Sequence, residues 1–300
     1  MLKKFMAHLA HRVLLISALI TQAHAADFIL SEARPIVESP AINEASGLAA
    51  SPKDDTFLWA INDSGGTPDL HLLKSDGTDC GKVTLTNAKN VDWEDLASFT
   101  LDGKSYLLIA DTGDNASTRE SCTLHIIPEP KLPAAGEKLS GTATSAWNIV
   151  FSYEGGPRDC EAVAVDSINQ KIILISKRTS PPEIFELPLR APQKRGKIIA
   201  RKSGIVLTNS PSAHFLPFAN QPVGLDISVD QSLAAIATYY SVFLFPRAPK
   251  ETWAQAFAKK PITLTPHGLK QAESIAFSKD ASQIHLISEG KTLPIRSYKR

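Results

Sequence analysis

The chain has 300 residues, 43% of them hydrophobic, with 32 basic and 31 acidic side chains that leave a net charge of +1. That length carries a substantial core, as one large all-β domain or two ordinary ones. The balanced charge gives no bulk attraction to nucleic acid or to an anionic membrane, and neither is expected as a partner.

Residues 1–25 read as an export leader. Lys3, Lys4 and Arg12 make it basic, Val13 to Ile20 is apolar, and Ala23-His24-Ala25 offers small residues for cleavage. The apolar run is far short of the roughly 20 residues that span a bilayer. No cysteine follows the cleavage site, which argues against a lipid anchor there. The mature chain, 26–300, is expected to be a single monomeric domain, periplasmic or secreted, with no transmembrane segment. In an oxidising compartment its three cysteines allow one disulfide and one free thiol. Cys80 and Cys122, near turns of consecutive repeats, are the favoured pair. Cys160, beside Glu161, reads as a buried hydrophobe before it reads as a nucleophile.

The stretch from Asn90 to Arg119 sets the pattern for the rest. Two apolar runs, Leu96 to Leu101 and Tyr106 to Ala110, flank a Leu-Asp-Gly-Lys turn, and carboxylates stand at their outer ends. Short apolar runs bounded by Asp, Gly and Asn read as strands joined by hairpin turns. The anchor Glu94-Asp95-Leu96-Ala97 recurs as Ser46-Gly47-Leu48-Ala49, Glu161-Ala162-Val163-Ala164, Val223-Gly224-Leu225-Asp226 and Glu273-Ser274-Ile275-Ala276. The repeat length is roughly 50 to 65 residues. A second apolar run follows each anchor: Phe57 to Ile61, Tyr106 to Ala110, Ile172 to Ser176, Leu233 to Thr238 and Ile284 to Ser288. Third and outer strands complete most units.

Units of about four strands repeated in this way predict a β-propeller, with five blades favoured and six requiring division of the long third unit. That unit carries an irregular insertion from Asn209 to Gln221. The fifth unit is one strand short, and Phe28 to Val37 supplies a spare that would close the ring. Pro249 to Lys260 breaks the pattern and predicts a short surface helix, with a lid as the lesser reading.

First strands of propeller blades line a central channel, so Glu94, Glu161 and Glu273 should converge. The ends of the second strands add Asp63, Asp111 and Glu289, with Lys177 and Tyr239 in the other two units. Carboxylates that close raise one another's pKa or recruit a cation. Oxygen donors without a His or Cys cluster suit Ca2+, and less well Mg2+, rather than zinc. The competing reading is that these glutamates bond to backbone amides and hold strands in register. Arg119, Arg158, Lys177 and Arg178 lie close by in sequence, either to hold an anionic substrate or to neutralise the carboxylates. No nucleophile elbow, P-loop, HExxH or CxxC is present. Of the histidines, His71, His125 and His285 alternate with apolar strand residues and read as structural. His267 is the candidate general base.

Asp92-Trp-Glu-Asp-Leu-Ala, Ala110-Asp-Thr-Gly-Asp-Asn with Arg119, Pro157-Arg-Asp-Cys-Glu-Ala and Gln271-Ala-Glu-Ser-Ile-Ala resemble a family of exported bacterial propellers. That family is similar to the phytase-like and SdiA-regulated groups. The resemblance covers nearly the whole mature chain and implies a propeller fold, export and calcium at the carboxylates. Ser46 and Val223 depart from the glutamate pattern, which points to a lopsided site. Two functions remain open: a calcium-dependent hydrolase of a phosphoester, lactone or ester, or a non-catalytic propeller that binds a protein, glycan or surface polymer.

Overall fold

A computed structural model describes residues 27–190, 198–208, 218–290 and 292–300. The expected leader and residues 209–217 of the insertion lie outside the described residues. Among those described, no helix is long and apolar enough to cross a membrane.

The fold is all-β and propeller-like. β1 (Ile29–Leu30) is followed by β2 (Ala45–Ala50), β3 (Phe57–Asn62), β4 (Asp69–Lys74) and β5 (Asp79–Leu85). Next come β6 (Trp93–Leu101), β7 (Lys104–Asp111), β8 (Cys122–Pro128), β9 (Thr142–Ala143) and β10 (Trp147–Tyr153). Then follow β11 (Cys160–Asp166), β12 (Lys171–Ser176), β13 (Glu183–Pro188) and β14 (Ile198–Ile205). After residues 209–217 come β15 (Pro222–Ile227), β16 (Leu233–Thr238), β17 (Val242–Pro246), α1 (Trp253–Phe257) and β18 (Ile262–Thr263). β19 (Ala276–Phe277), β20 (Gln283–Leu286) and β21 (Arg296–Lys299) end the chain.

Among the described residues the strands form four sheets, ordered β2-β3-β4-β5-β9, β6-β7-β8-β10-β14-β13-β12-β11, β15-β16-β17-β18 and β19-β20-β21-β1. Every expected hairpin is present, because each apolar run meets its partner across an Asp-, Gly- or Ser-rich turn. β1 lies antiparallel to β21, with Leu30 opposite Tyr298. Two pairings have no local signal. β10 and β14 pair in parallel and merge two antiparallel runs into one sheet, while β9 pairs in parallel with β5. Both cover backbone edges that would otherwise be free to template aggregation.

The first strands pack side by side in the cyclic order β2, β6, β11, β15, β19 and back to β2. Small residues permit the close approach. A Cβ at Gly47 would stand 2.7 Å from the Leu96 nitrogen and 2.8 Å from the Asp95 carbonyl carbon. The core is divided among the seams between neighbouring runs. Trp59, Trp93 and Leu107 fill one, and Ile173, Phe243 and Phe257 another.

Two expectations are corrected here. The helix is shorter than Pro249 to Lys260, and although Gln255 lies on the surface as expected, its other face is buried. It carries a Thr252–Gln255 capping box, and Trp253, Ala256 and Phe257 are buried against β14 and β17, which also disfavours a lid. The cysteines are all free and buried. Cys80 belongs to the β2–β5 core and Cys122 to a different cluster, so the expected Cys80–Cys122 disulfide does not form.

Candidate functional site

At one end of the ring, each first strand gains a residue. The register shifts between Ala45 and Gly47, Trp93 and Asp95, Cys160 and Ala162, and Pro222 and Gly224. The residues left over are Ser46, Glu94, Glu161 and Val223, the anchor positions of the repeats. Glu273 follows the Ala272–Ser288 bridge in the corresponding place. A bulge leaves one residue unpaired and re-aims its side chain. Three of these residues are glutamates, all buried at the same end of the ring.

The neighbouring second strands add a matching set. Asn62 opposes Ala45, Asp111 opposes Trp93, Ser176 opposes Cys160 and Thr238 opposes Pro222. The next residues in register are therefore Asp63, Thr112, Lys177 and Tyr239, with Glu289 after Ser288. Thr112, not Asp111, occupies the equivalent position. One residue of offset sends a strand side chain to the opposite face. Asp111 accordingly pairs with Arg119, Nη2 to Oδ1 at 2.7 Å.

Two groups of carboxylates have ligand atoms within 4.8 Å of one another: Asp63, Asp92 and Glu94, and Glu94, Asp159 and Glu161. Glu94 is common to both. Gly113 packs beneath them, and a Cβ there would lie 2.5 Å from Asp92 Oδ2. Lys177 Nζ pairs with Glu161 Oε1, while Glu161 Oε2 is buried with no hydrogen-bond partner.

Electrostatics follow from this crowding. Burial, reinforced by Glu161 and Asp63, holds Glu94 well above the usual carboxylate range. Burial pushes Glu161 up to about 7, and Lys177 only partly opposes it. Burial and Glu161 raise Glu273 to about 8, against Lys177 and a Tyr239 hydrogen bond. Burial and Asp63 raise Asp92 to about 6. Burial works against the charge of Lys177, but Glu161 and Glu273 outweigh it and raise its pKa. Glu289, half-buried, is also raised by burial and then by Asp63. Lys177 stays charged amid an excess of carboxylates, and its Nζ lies 5.1 Å from the Tyr239 ring centroid.

The other basic candidates are already engaged. Arg119 also donates to the Gly113 carbonyl at 2.8 Å. Arg178 pairs with Asp159 at 2.7 Å and bonds Asn115. Arg158 is turned away from the cluster, to Glu183 at 2.7 Å and the Pro157 carbonyl at 2.9 Å. His267 is buried; its Nε2 donates to the Thr238 carbonyl at 3.0 Å and its Nδ1 accepts from the Leu269 amide at 3.1 Å. Neither ring nitrogen is free to take a substrate proton, and burial lowers its pKa.

Asp159 is not among the residues expected at the site, and Asp92 is expected there only as one of the carboxylates before the first apolar run. Their signal is the Asp-x-Glu spacing shared by Asp92-Trp-Glu94 and Asp159-Cys-Glu161. The neighbour of Glu94 does a different job. Asp95 is fully buried, and its Oδ2 accepts the amide hydrogens of Val163 at 2.7 Å and Leu225 at 3.2 Å, tying β6 to β11 and β15. The backbone-amide role considered for the glutamates is filled instead by Asp95, one position from the cluster.

No protein-family model and no curated protein matches this sequence. Among solved structures the chain is similar to a nidogen/laminin complex, with a TM-score of 0.44 and 12% identity over 82% of this chain and 72% of that one.

Proposed function

We propose that this protein is an exported five-bladed propeller that binds a divalent cation, calcium, at the bulged end of its ring and uses it to hydrolyse a small phosphoester, lactone or ester. The blade count is supported by five first strands in cyclic contact, with β1 completing the last sheet. Export rests on the basic and apolar leader of residues 1–25.

The observation that carries the cation reading is Glu161 Oε2, a buried carboxylate oxygen without a partner, in a residue grouped with Glu94 and Asp159. An unpaired buried oxygen among like charges is costly, and a cation relieves both penalties. The donors are carboxylate oxygens and fit calcium or magnesium better than zinc. Glu94, Glu161, Asp159, Asp92 and Asp63 would hold the ion. Glu289 stands at the rim, with Glu273 beside Lys177 and Tyr239. Bound there, such an ion polarises a substrate oxygen and acidifies water. Glu273, at about 8 in the metal-free protein and close to Lys177 and Tyr239, is placed to hold or release a proton near neutral pH.

A second reading, a non-catalytic propeller that binds a protein or glycan, is favoured by the pairing of Arg119, Arg158 and Arg178 within the protein. Thermal unfolding in EDTA and then in calcium or magnesium separates these readings from a purely structural mouth. A calcium-dependent rise in midpoint that Glu161→Gln abolishes is the expected result. No rise removes the cation reading. Assays of the calcium-loaded protein with p-nitrophenyl phosphate, p-nitrophenyl acetate and a simple lactone then decide between hydrolase and binding protein.

A further inference from the structure

A cleft of about 670 Å³ opens at the other ends of β11 and β15, away from the acidic cluster. Its walls come from the β11–β12 turn, the β15–β16 turn and the segment that leads from β17 into α1. The volume falls within the roughly 300–1,000 Å³ of small-molecule sites.

Most of the charge in this wall is already neutralised. Arg247 Nη1 lies 3.1 Å from Asp166 Oδ2, and Arg247 Nε donates to the Gln231 carbonyl at 3.0 Å. Lys171 pairs with Glu186 at 2.5 Å. The Trp253 ring is in contact with Arg247 at 4.3 Å and with Phe257 at 5.5 Å. Asp230 accepts from the Ser228 and Ser232 hydroxyls at 2.6 and 2.8 Å, Glu251 pairs with Lys259, and Lys250 stands exposed at the rim, which leaves two neutral groups in the wall itself. Gln231 Oε1, an acceptor, and Trp253 Nε1, a donor, are both buried without a hydrogen-bond partner, and both residues line the cleft. The residues are 5% and 2% exposed. Buried polar atoms are nearly always paired, so two orphans of opposite polarity, both in residues that line this cleft, point to a missing partner.

We propose that this cleft binds a small neutral polyhydroxylated molecule, a sugar or sugar alcohol, whose hydroxyls accept from Trp253 Nε1 and donate to Gln231 Oε1. A hydroxyl is both donor and acceptor, which matches the two orphans. An ion would have to compete with the existing pairs Arg247–Asp166 and Lys171–Glu186, whereas a neutral polyol leaves them intact. The site does not depend on any cation at the opposite end of the ring.

The test is saturation-transfer NMR on the whole protein with glucose and myo-inositol, and with glucose 6-phosphate as the charged counterpart. Titrations are repeated on Trp253→Phe and Gln231→Met, with thermal unfolding to confirm folding. The expected result is binding of at least one neutral probe, no gain from the phosphate, and affinity roughly tenfold weaker in each variant, the loss of one hydrogen bond. Absence of transfer from both neutral probes overturns the proposal. So does undiminished binding in the variants, or tighter binding of glucose 6-phosphate. If Trp253→Phe does not fold, Gln231→Met alone decides.

Discussion

The carboxylate of Asp95 accepts the amide hydrogen of Val163 at 2.7 Å, across the gap between the first strands of two successive runs. The same oxygen also meets Leu225, and the other accepts from Leu96 at 2.8 Å. Asp95→Leu strands these amides in a buried place. Loss of stability by at least about 1–3 kcal/mol is expected, read from urea unfolding. Asp95→Asn, which keeps one carbonyl oxygen, should lose less.

The cluster at the bulges sets the pH response. Glu161 and Glu273 bind protons more tightly in the folded protein, at about 7 and about 8, than an ordinary glutamate does at 4.5. Groups of this kind favour the fold below the unfolded pKa, and the advantage is lost as pH rises through the folded pKa. In EDTA the melting temperature should therefore fall between about pH 4.5 and pH 8. Saturating calcium should flatten or reverse that slope, because the ion replaces the protons. A metal-free melting temperature that climbs over this interval would contradict the assignment.

Gly47 is required by close approach rather than by backbone dihedral. Gly47→Ala drives a Cβ to 2.7 Å from the Leu96 nitrogen, a backbone atom that cannot swing aside. A loss of about 1–3 kcal/mol is expected. Gly66→Ala meets nothing within 4 Å and should leave the denaturation midpoint almost unchanged.

The thiols give a further check. Burial pushes Cys122 up to about 12 and raises Cys80 and Cys160 as well. Native protein should react slowly with a thiol reagent at neutral pH. Denatured, non-reduced protein should titrate all three cysteines. A single reactive thiol under those conditions would mean that two are joined.

The hairpins are readable in the sequence because a hairpin is local. Runs such as Ile172 to Ser176 and the turns before them carry period, propensity and turn chemistry within a few residues. The convergence of Glu94, Glu161 and Glu273 is readable for a related reason, since a repeat places equivalent residues at equivalent points. The bulges are less visible. An extra residue interrupts the two-residue period without a compositional mark, and the resulting offset is why Thr112 rather than Asp111 is the counterpart of Lys177. The engagement of His267 depends on Thr238 and Leu269, and no spacing rule links that ring to the Thr238 carbonyl. The parallel pairing of β10 with β14 joins two outer strands far apart along the chain, with no turn between them to announce it.

The union of β1 with β21 has a consequence for synthesis. Ile29 and Leu30 emerge from the ribosome long before their partners Lys299 and Tyr298. Until then the ring has a gap and an unmatched edge. A nascent chain would carry that edge exposed, so β21 acts as a latch fastened only after the other strands of the ring have been made.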